Sequence, residues 1–402
     1  MIKDLDAEME KRDLRSMIVF GDATTGNPDL CYVAGGSLPR GGIFLKRRSQ
    51  EPTLVVSNID VGSARKGRVR NIKTYSDFGF ERIAGRYERD EARTRLYQLI
   101  IRDSGLEGPM VIAGKNDLSN SLLLIDALRK RDIKIVGEKS PTVLEMARET
   151  KDRAEIERLR EMGRKTSRVV DRTRRFLTTC RIRGSKVLYK SKPLKVETVK
   201  KTIGRLLSEE SIIAPEDTIF AVGRRSSDPH YGGSETDIVR AKEPIVFDIF
   251  PAEPDGYWHD TTRTYSFSSP SKRVKDMYDT VLDAQTLALD MIHDQVPGRD
   301  IMTSVCKHFE KRGYPTVRSL MKGDKAARSR GFIHGLGHGV GLTIGERPYL
   351  SLFSKEPLRK NSVVTVEPGL YDPRVGGVRI EDILVVGSPS ENLTPIAKDI
   401  EL

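Results

Sequence analysis

Short apolar runs recur through the first third of the chain, at Ser16–Phe20, Gly42–Lys46, Thr53–Ser57 and Met110–Ala113. Runs of this length bounded by glycine or polar residues predict buried strands. Between the last two, Glu88–Ser104 carries a helical period and stops at Gly105, a C-cap residue. A second helix is predicted over Ser119–Arg131, followed by a strand over Ile133–Val136. Strands alternating with helices predict an α/β domain.

The pattern then changes. Glu145–Phe176 is long, charged and periodic, with Ile156, Leu159, Met162, Val169 and Val170 as its apolar anchors. It reads as one or two surface helices that open a second domain, with the boundary between Pro141 and Thr150. A chain of 402 residues exceeds one ordinary core, so two domains are expected, 1–143 and 144–402. Cys180–Lys195 is basic and poor in apolar residues, and is expected to be a loop. From Ile245 onward strands dominate, with helices expected around Ser271–His293 and Asp300–Arg312.

Composition narrows the function classes. With 37% hydrophobic and 31% charged residues, the chain reads as a globular protein, and no apolar run approaches the roughly 20 residues that span a bilayer. The first residues, MIKDLDAEMEKRD, lack the apolar core of a secretory signal. Cys31, Cys180 and Cys306 are widely spaced and form no C-x-x-C pair, which fits a reducing cytoplasm. A net charge of +12 permits contact with polyanions, but an aromatic content of 6% offers few stacking platforms. Nucleic-acid binding is therefore not expected; it rests only on the basic run Cys180–Lys201 and predicts affinity that falls steeply with salt.

Candidate chemistry begins at Ile245–Phe267, where two β-rich runs flank the turn signal Pro254-Asp255-Gly256. Asp248 and Asp260 lie at similar distances from that turn and are expected to face each other across a hairpin. Opposed carboxylates repel, and Asp248 sits inside the apolar run Ile245–Phe250, where a charge needs a partner. A divalent cation would satisfy both. Val363–Val386 repeats the arrangement, with Glu367 and Glu381 in apolar strands on either side of Asp372-Pro373-Arg374 and Gly376-Gly377. Four converging carboxylates suit two divalent ions. Between the hairpins lies His334-Gly-Leu-Gly-His338-Gly-Val-Gly-Leu. It lacks the glutamate of a zinc helix and the G-K-[ST] of a phosphate loop. Five glycines from Gly331 to Gly341 oppose a helix, so a strand or loop presenting histidines is expected.

HGLGHGVGL, TVEPGLY, RIED and the D-x(11)-D-x-T-R-T pair stand in the order found in the pita-bread metallopeptidases, which the chain resembles from Ala147 to its end and more loosely before. The resemblance implies a creatinase-like α/β N-terminal domain and an α+β pita-bread domain with a pseudo-twofold antiparallel sheet. It implies metal ligands at Asp248, Asp260, His338, Glu367 and Glu381, holding two divalent ions (Mn, Co, Zn or Fe). His230 and His334 resemble histidines that face the substrate, and Arg379 one that supports the ligand carboxylates. The length is similar to that of prolidase or aminopeptidase P, so the implied activity is cleavage of the bond between an N-terminal residue and proline. The peptide carries proline second, Glu367 shuttles the proton, and a homodimer is implied.

One position departs from the family's pattern. After GHGVGL the family runs x-x-His-Glu-x-Pro, and here Gly345 stands where that histidine is expected, followed by Glu346-Arg347-Pro348. In relatives the histidine helps stabilise the oxyanion, and loss of one such donor costs about 10²–10³ in rate elsewhere. A slow enzyme, compensation by Glu346 or Arg347, or a metal-retaining protein that binds peptides or macromolecules without cutting them all follow as readings. Retention of five ligands favours the enzyme.

Overall fold

The computed structural model describes residues 2–130 and 134–402. They form two compact units, Met1–Arg148 with Pro254–Gly256, and Glu149–Glu253 with Tyr257–Leu402.

The first unit holds a five-stranded mixed sheet of β1 (Ser16–Gly21), β2 (Gly42–Arg47), β3 (Thr53–Val56), β4 (Asn71–Thr74) and β5 (Met110–Ala113), in the order β4-β3-β2-β1-β5. β1 pairs with β5 in parallel and with β2 antiparallel. The helix Arg89–Asp103 packs Leu96 and Ile100, and the helix Leu118–Arg129 packs Leu124 and Leu128, against Ile18, Phe20 and Leu45 of the sheet. β4, with the sequence NIKT, pairs only with β3 and has no apolar run to announce it. Of the expected strand Ile133–Val136, only a bridge from Ile135 to Met110 is present; Ile133, like Arg131 of the expected helix, lies outside the described residues.

The second unit opens with the helix Arg153–Thr178, separated from the short helix Val143–Glu149. Asp152 caps it, accepting from the Glu155 amide while the Glu155 side chain accepts from Asp152 N–H, a capping box. Leu159, Met162, Val169, Val170 and Leu177 form its buried face. The expected loop at Cys180–Lys195 is instead a small three-stranded sheet of β6 (Arg181–Arg183), β7 (Lys186–Tyr189) and β8 (Lys192–Pro193). Its charged residues point outward, while Val187 and Leu194 are buried and tie it to the core. After the helix Val196–Glu209 come β9 (Ile219–Val222), β10 (Ile245–Ile249) and β11 (Thr261–Tyr265), a sheet ordered β11-β10-β9. Helices Lys272–Met291 and Gly298–Lys311 follow. The chain then forms β12 (Gly337–Val340), β13 (Ile344–Leu350), β14 (Val363–Val366), β15 (Gly369–Asp372), β16 (Gly376–Arg379), β17 (Asp382–Val385) and β18 (Glu391–Asn392).

In the main sheet, β13-β12-β14-β17-β18, the central strands β14 and β17 are buried on both faces. Val363, Ile383 and Val385 join the core under the helices Arg153–Thr178 and Val196–Glu209. Val364, Val366 and Leu384 join the core of the helices Lys272–Met291 and Gly298–Lys311. Alternate residues of one strand thus feed opposite layers, as the pleat requires. The glycines of β12 bring its neighbours close: a Cβ on Gly337 would lie 2.0 Å from the Thr365 carbonyl oxygen, and one on Gly339 2.1 Å from that of Arg347. Among the described residues no helix is long and apolar enough to cross a membrane.

Candidate metal centre

The strand registers place the acids. On β10 and β11, Asp248 is opposite Thr262, not Asp260. The hairpin centres on Asp255, which is seven residues from Asp248 and five from Asp260. The expected face-to-face pair is therefore a diagonal one on the same face, which separates the two charges and leaves room between them. In the second hairpin, β14 pairs with β17 so that Val366 meets Asp382, and β15 pairs with β16 so that Gly369 meets Arg379. Both ladders count from one centre, so Glu367 and Glu381 fall opposite each other in the gap between them.

All eight residues singled out from the sequence, Asp248, Asp260, Glu367, Glu381, His230, His334, His338 and Arg379, line one cavity of about 880 Å³ in the second unit. Ligand atoms of Asp260, His338 and Glu381 lie within 4.8 Å of one another. His338 Nε2 is 3.6 Å from both Asp260 Oδ2 and Glu367 Oε1. Asp248 Oδ1 is buried without a hydrogen-bond partner. Burial, and then the charges of Glu381, Asp248 and Glu367, push the Asp260 carboxyl well above its usual range. Burial together with Glu367 and Asp248 does the same to Glu381. Glu367 is pushed up to about 7, chiefly by burial. One guanidinium among four crowded carboxylates leaves a deficit of positive charge, and an orphaned carboxylate oxygen is a vacant donor. The residues present fit divalent cations.

Hydrogen bonds fix the set. Arg379 donates from Nη2 to Asp248 Oδ2 (2.5 Å), from Nε to Thr262 Oγ1 (3.1 Å) and from Nη1 to the Tyr371 hydroxyl (2.8 Å). Thr262 in turn donates to Glu381 Oε2 (2.8 Å). His334 Nδ1 is 2.7 Å from the Gly335 carbonyl oxygen, which can only accept, so the proton sits on Nδ1. Burial holds the ring neutral by lowering its pKa to about 3, and Nε2 accepts from the Tyr371 hydroxyl at 2.9 Å. His334 lines the cavity with both ring nitrogens engaged. The Gly345 amide donates to His338 Nδ1 (3.2 Å), which also lies 3.1 Å from the Gly339 carbonyl oxygen. A cation held by Nε2 would move the ring proton to Nδ1, exchanging the bond from the Gly345 amide for one to the Gly339 carbonyl oxygen. His230 is exposed on the loop before β10. Gly345 lines the wall at φ +79°, and a Cβ there would meet nothing within 4 Å.

Sequence reasoning missed Thr262 and Tyr371, the two hydroxyls that couple Arg379 to the acids and to His334. The spacing of Thr262, two residues beyond Asp260 on the same strand face, was the available signal.

Known proteins add the family. An Xaa-Pro dipeptidase of Pyrococcus horikoshii is 26% identical over 410 residues, covering 99% of this chain and 98% of its own. The solved Xaa-Pro dipeptidase of Bacillus anthracis superposes with a TM-score of 0.77 at 23% identity, covering 100% and 99% of the two chains. The X-Pro aminopeptidase of Thermotoga maritima does so at 0.76 and 22%, covering 98% and 99%. These superpositions establish the two-domain pita-bread fold. Residues 157–388, more than half the chain and the whole of the cavity's lining, match the description of metallopeptidase family M24. The cluster of buried acids is thus the candidate centre of a peptidase, and the chain belongs to metallopeptidase family M24.

Proposed function

We propose that this peptidase removes an N-terminal residue that precedes proline, using two divalent ions held by Asp248, Asp260, His338, Glu367 and Glu381. The observation that carries the reading is the convergence of these five side chains in one cavity, in a chain that an Xaa-Pro dipeptidase matches over nearly its whole length. Residues 144–402 form the catalytic domain in this reading and residues 1–143 the creatinase-like domain. Divalent ions bound there supply Lewis-acid polarisation of the scissile carbonyl and lower the pKa of the attacking water.

The protein's own residues do the rest. Arg379 holds Asp248, and through Thr262 it holds Glu381, so the acids keep their places with or without substrate. Glu367, on the cavity wall beside His338, takes the proton from the water and delivers it to the leaving proline nitrogen. His230, exposed at the cavity and unconstrained by a ring hydrogen bond among the described residues, donates to the carbonyl oxygen. Gly345 stands in place of a second histidine; its left-handed backbone and the empty space beside it leave that part of the wall bare. We place the enzyme in the cytoplasm, as a homodimer, with Mn, Co, Zn or Fe as the metal. A metal-retaining binder is not favoured, because the buried acids converge on the wall of a cavity of substrate size that also carries His230 and Glu367.

The test is release of free proline from an Xaa-Pro dipeptide, and of the N-terminal residue from an Xaa-Pro tripeptide, as Mn²⁺ or Co²⁺ is titrated into metal-stripped protein. Saturable, metal-dependent release is expected from at least one of them. No release from either with either metal refutes the assignment.

A further inference from the structure

A peptide carbonyl that becomes tetrahedral in this cavity puts negative charge on an oxygen surrounded by carboxylates. Hydrogen-bond donors aimed at that oxygen therefore matter more here than in a neutral cleft. Few of the side chains on the wall can donate. Arg379 is committed to Asp248, Thr262 and Tyr371. His334 spends its proton on Gly335, and His338, with a cation at Nε2, spends its own on Gly339. The Ser351 hydroxyl pairs with that of Ser354 at 2.8 Å. Besides His230, this leaves Tyr349.

Three observations place Tyr349 at the chemistry. It is the direct cross-strand partner of His338, so its side chain leaves the sheet on the same face and beside that ring. It lines the cavity and is 44% exposed although the neighbouring residues Pro348 and Leu350 are buried. Its hydroxyl donates to the Gly345 carbonyl oxygen at 2.9 Å, so the phenol lies along the stretch of wall that Gly345 leaves bare. That single bond to a solvent-facing carbonyl exchanges readily for one to a substrate oxygen, since water can replace it at the carbonyl.

We propose that the Tyr349 hydroxyl is a catalytic donor to the substrate carbonyl oxygen, acting with His230 and strengthening its hydrogen bond as the oxygen becomes an oxyanion. The inference rests on the peptidase reading above. Tyr349 acts only as a hydrogen-bond donor; it forms no covalent bond and transfers no proton.

Tyr349→Phe keeps the ring and removes only the donor. With the metal-loaded proteins, kcat and KM are measured on the Xaa-Pro peptide that the parent cleaves best. Binding of a phosphinate analogue, in which a tetrahedral phosphorus replaces the scissile carbonyl, is measured by calorimetry. The expected result is a fall in kcat of about 10–10³ with KM within about threefold, as for loss of one oxyanion donor. A matching loss of phosphinate affinity is expected, with affinity for free proline unchanged. A variant with parental kcat, or one in which only KM rises, overturns the proposal while leaving the peptidase reading intact. A parent that cleaves no Xaa-Pro peptide overturns both.

Discussion

Arg379 is the cation on which the inner acids depend, through three bonds from three different nitrogens. Lysine carries the charge but not the fork. Arg379→Lys is expected to weaken Mn²⁺ binding about 10–100-fold, the usual cost of losing a partner that orients a metal ligand. Calorimetry on the stripped variant reads this directly, and unchanged affinity shows that charge alone suffices. Glu367→Gln retains shape and removes the exchangeable proton; metal-dependent activity is expected to vanish while the circular dichroism spectrum stays parental. Activity that survives removes the proton-shuttle role. The acids were legible in the sequence because a carboxylate inside an apolar run such as Ile245–Phe250 is physically anomalous. Tyr371 and Thr262 were not, because a tyrosine or threonine in a strand is ordinary and only the fold shows which groups their hydroxyls reach. The same holds for Lys151, whose ammonium is buried against Glu346 at 2.7 Å, 195 residues away.

Elements were legible where one period ran long enough. The helix Arg153–Thr178 shows its apolar face over seven turns and its start in Asp152 and Glu155. Asp152→Ala is expected to cost about 1 kcal/mol of stability, the usual value of an N-cap, read from the urea midpoint. The sheet at Arg181–Pro193 was hidden because its strands are two to four residues long and mostly charged. Two apolar side chains hold it, and Leu194→Ala is expected to cost about 2–5 kcal/mol. A value below 1 kcal/mol would show that the sheet is not anchored there. Register was the harder quantity. Asp248 and Asp260 were correctly read as one hairpin, but the turn between Ile249 and Thr261 is long, and its centre at Asp255 could not be told from one a residue earlier.

At the scale of the whole molecule, the crowded acids make stability depend on pH and metal together. Asp260, Glu381 and Glu367 hold protons more tightly in the folded chain than carboxylates do in an unfolded one. The folded state therefore binds more protons, and the stability this contributes is present at low pH and lost as pH rises through the folded values. Metal-stripped protein is expected to melt at a higher temperature at pH 6 than at pH 8, and saturating metal to flatten or reverse that slope. The same slope with and without metal would show that these acids do not share a cation. A further consequence lies in the turn at residues 373–375, about which both ladders of the second hairpin count. A codon gained or lost there slides every partner by one step, and Glu367 no longer meets Glu381. Exchanging one residue for another at the same three positions leaves the count alone. Lineages of this enzyme are free to rewrite the spelling of that loop, but a change in its length is paid for in the metal centre.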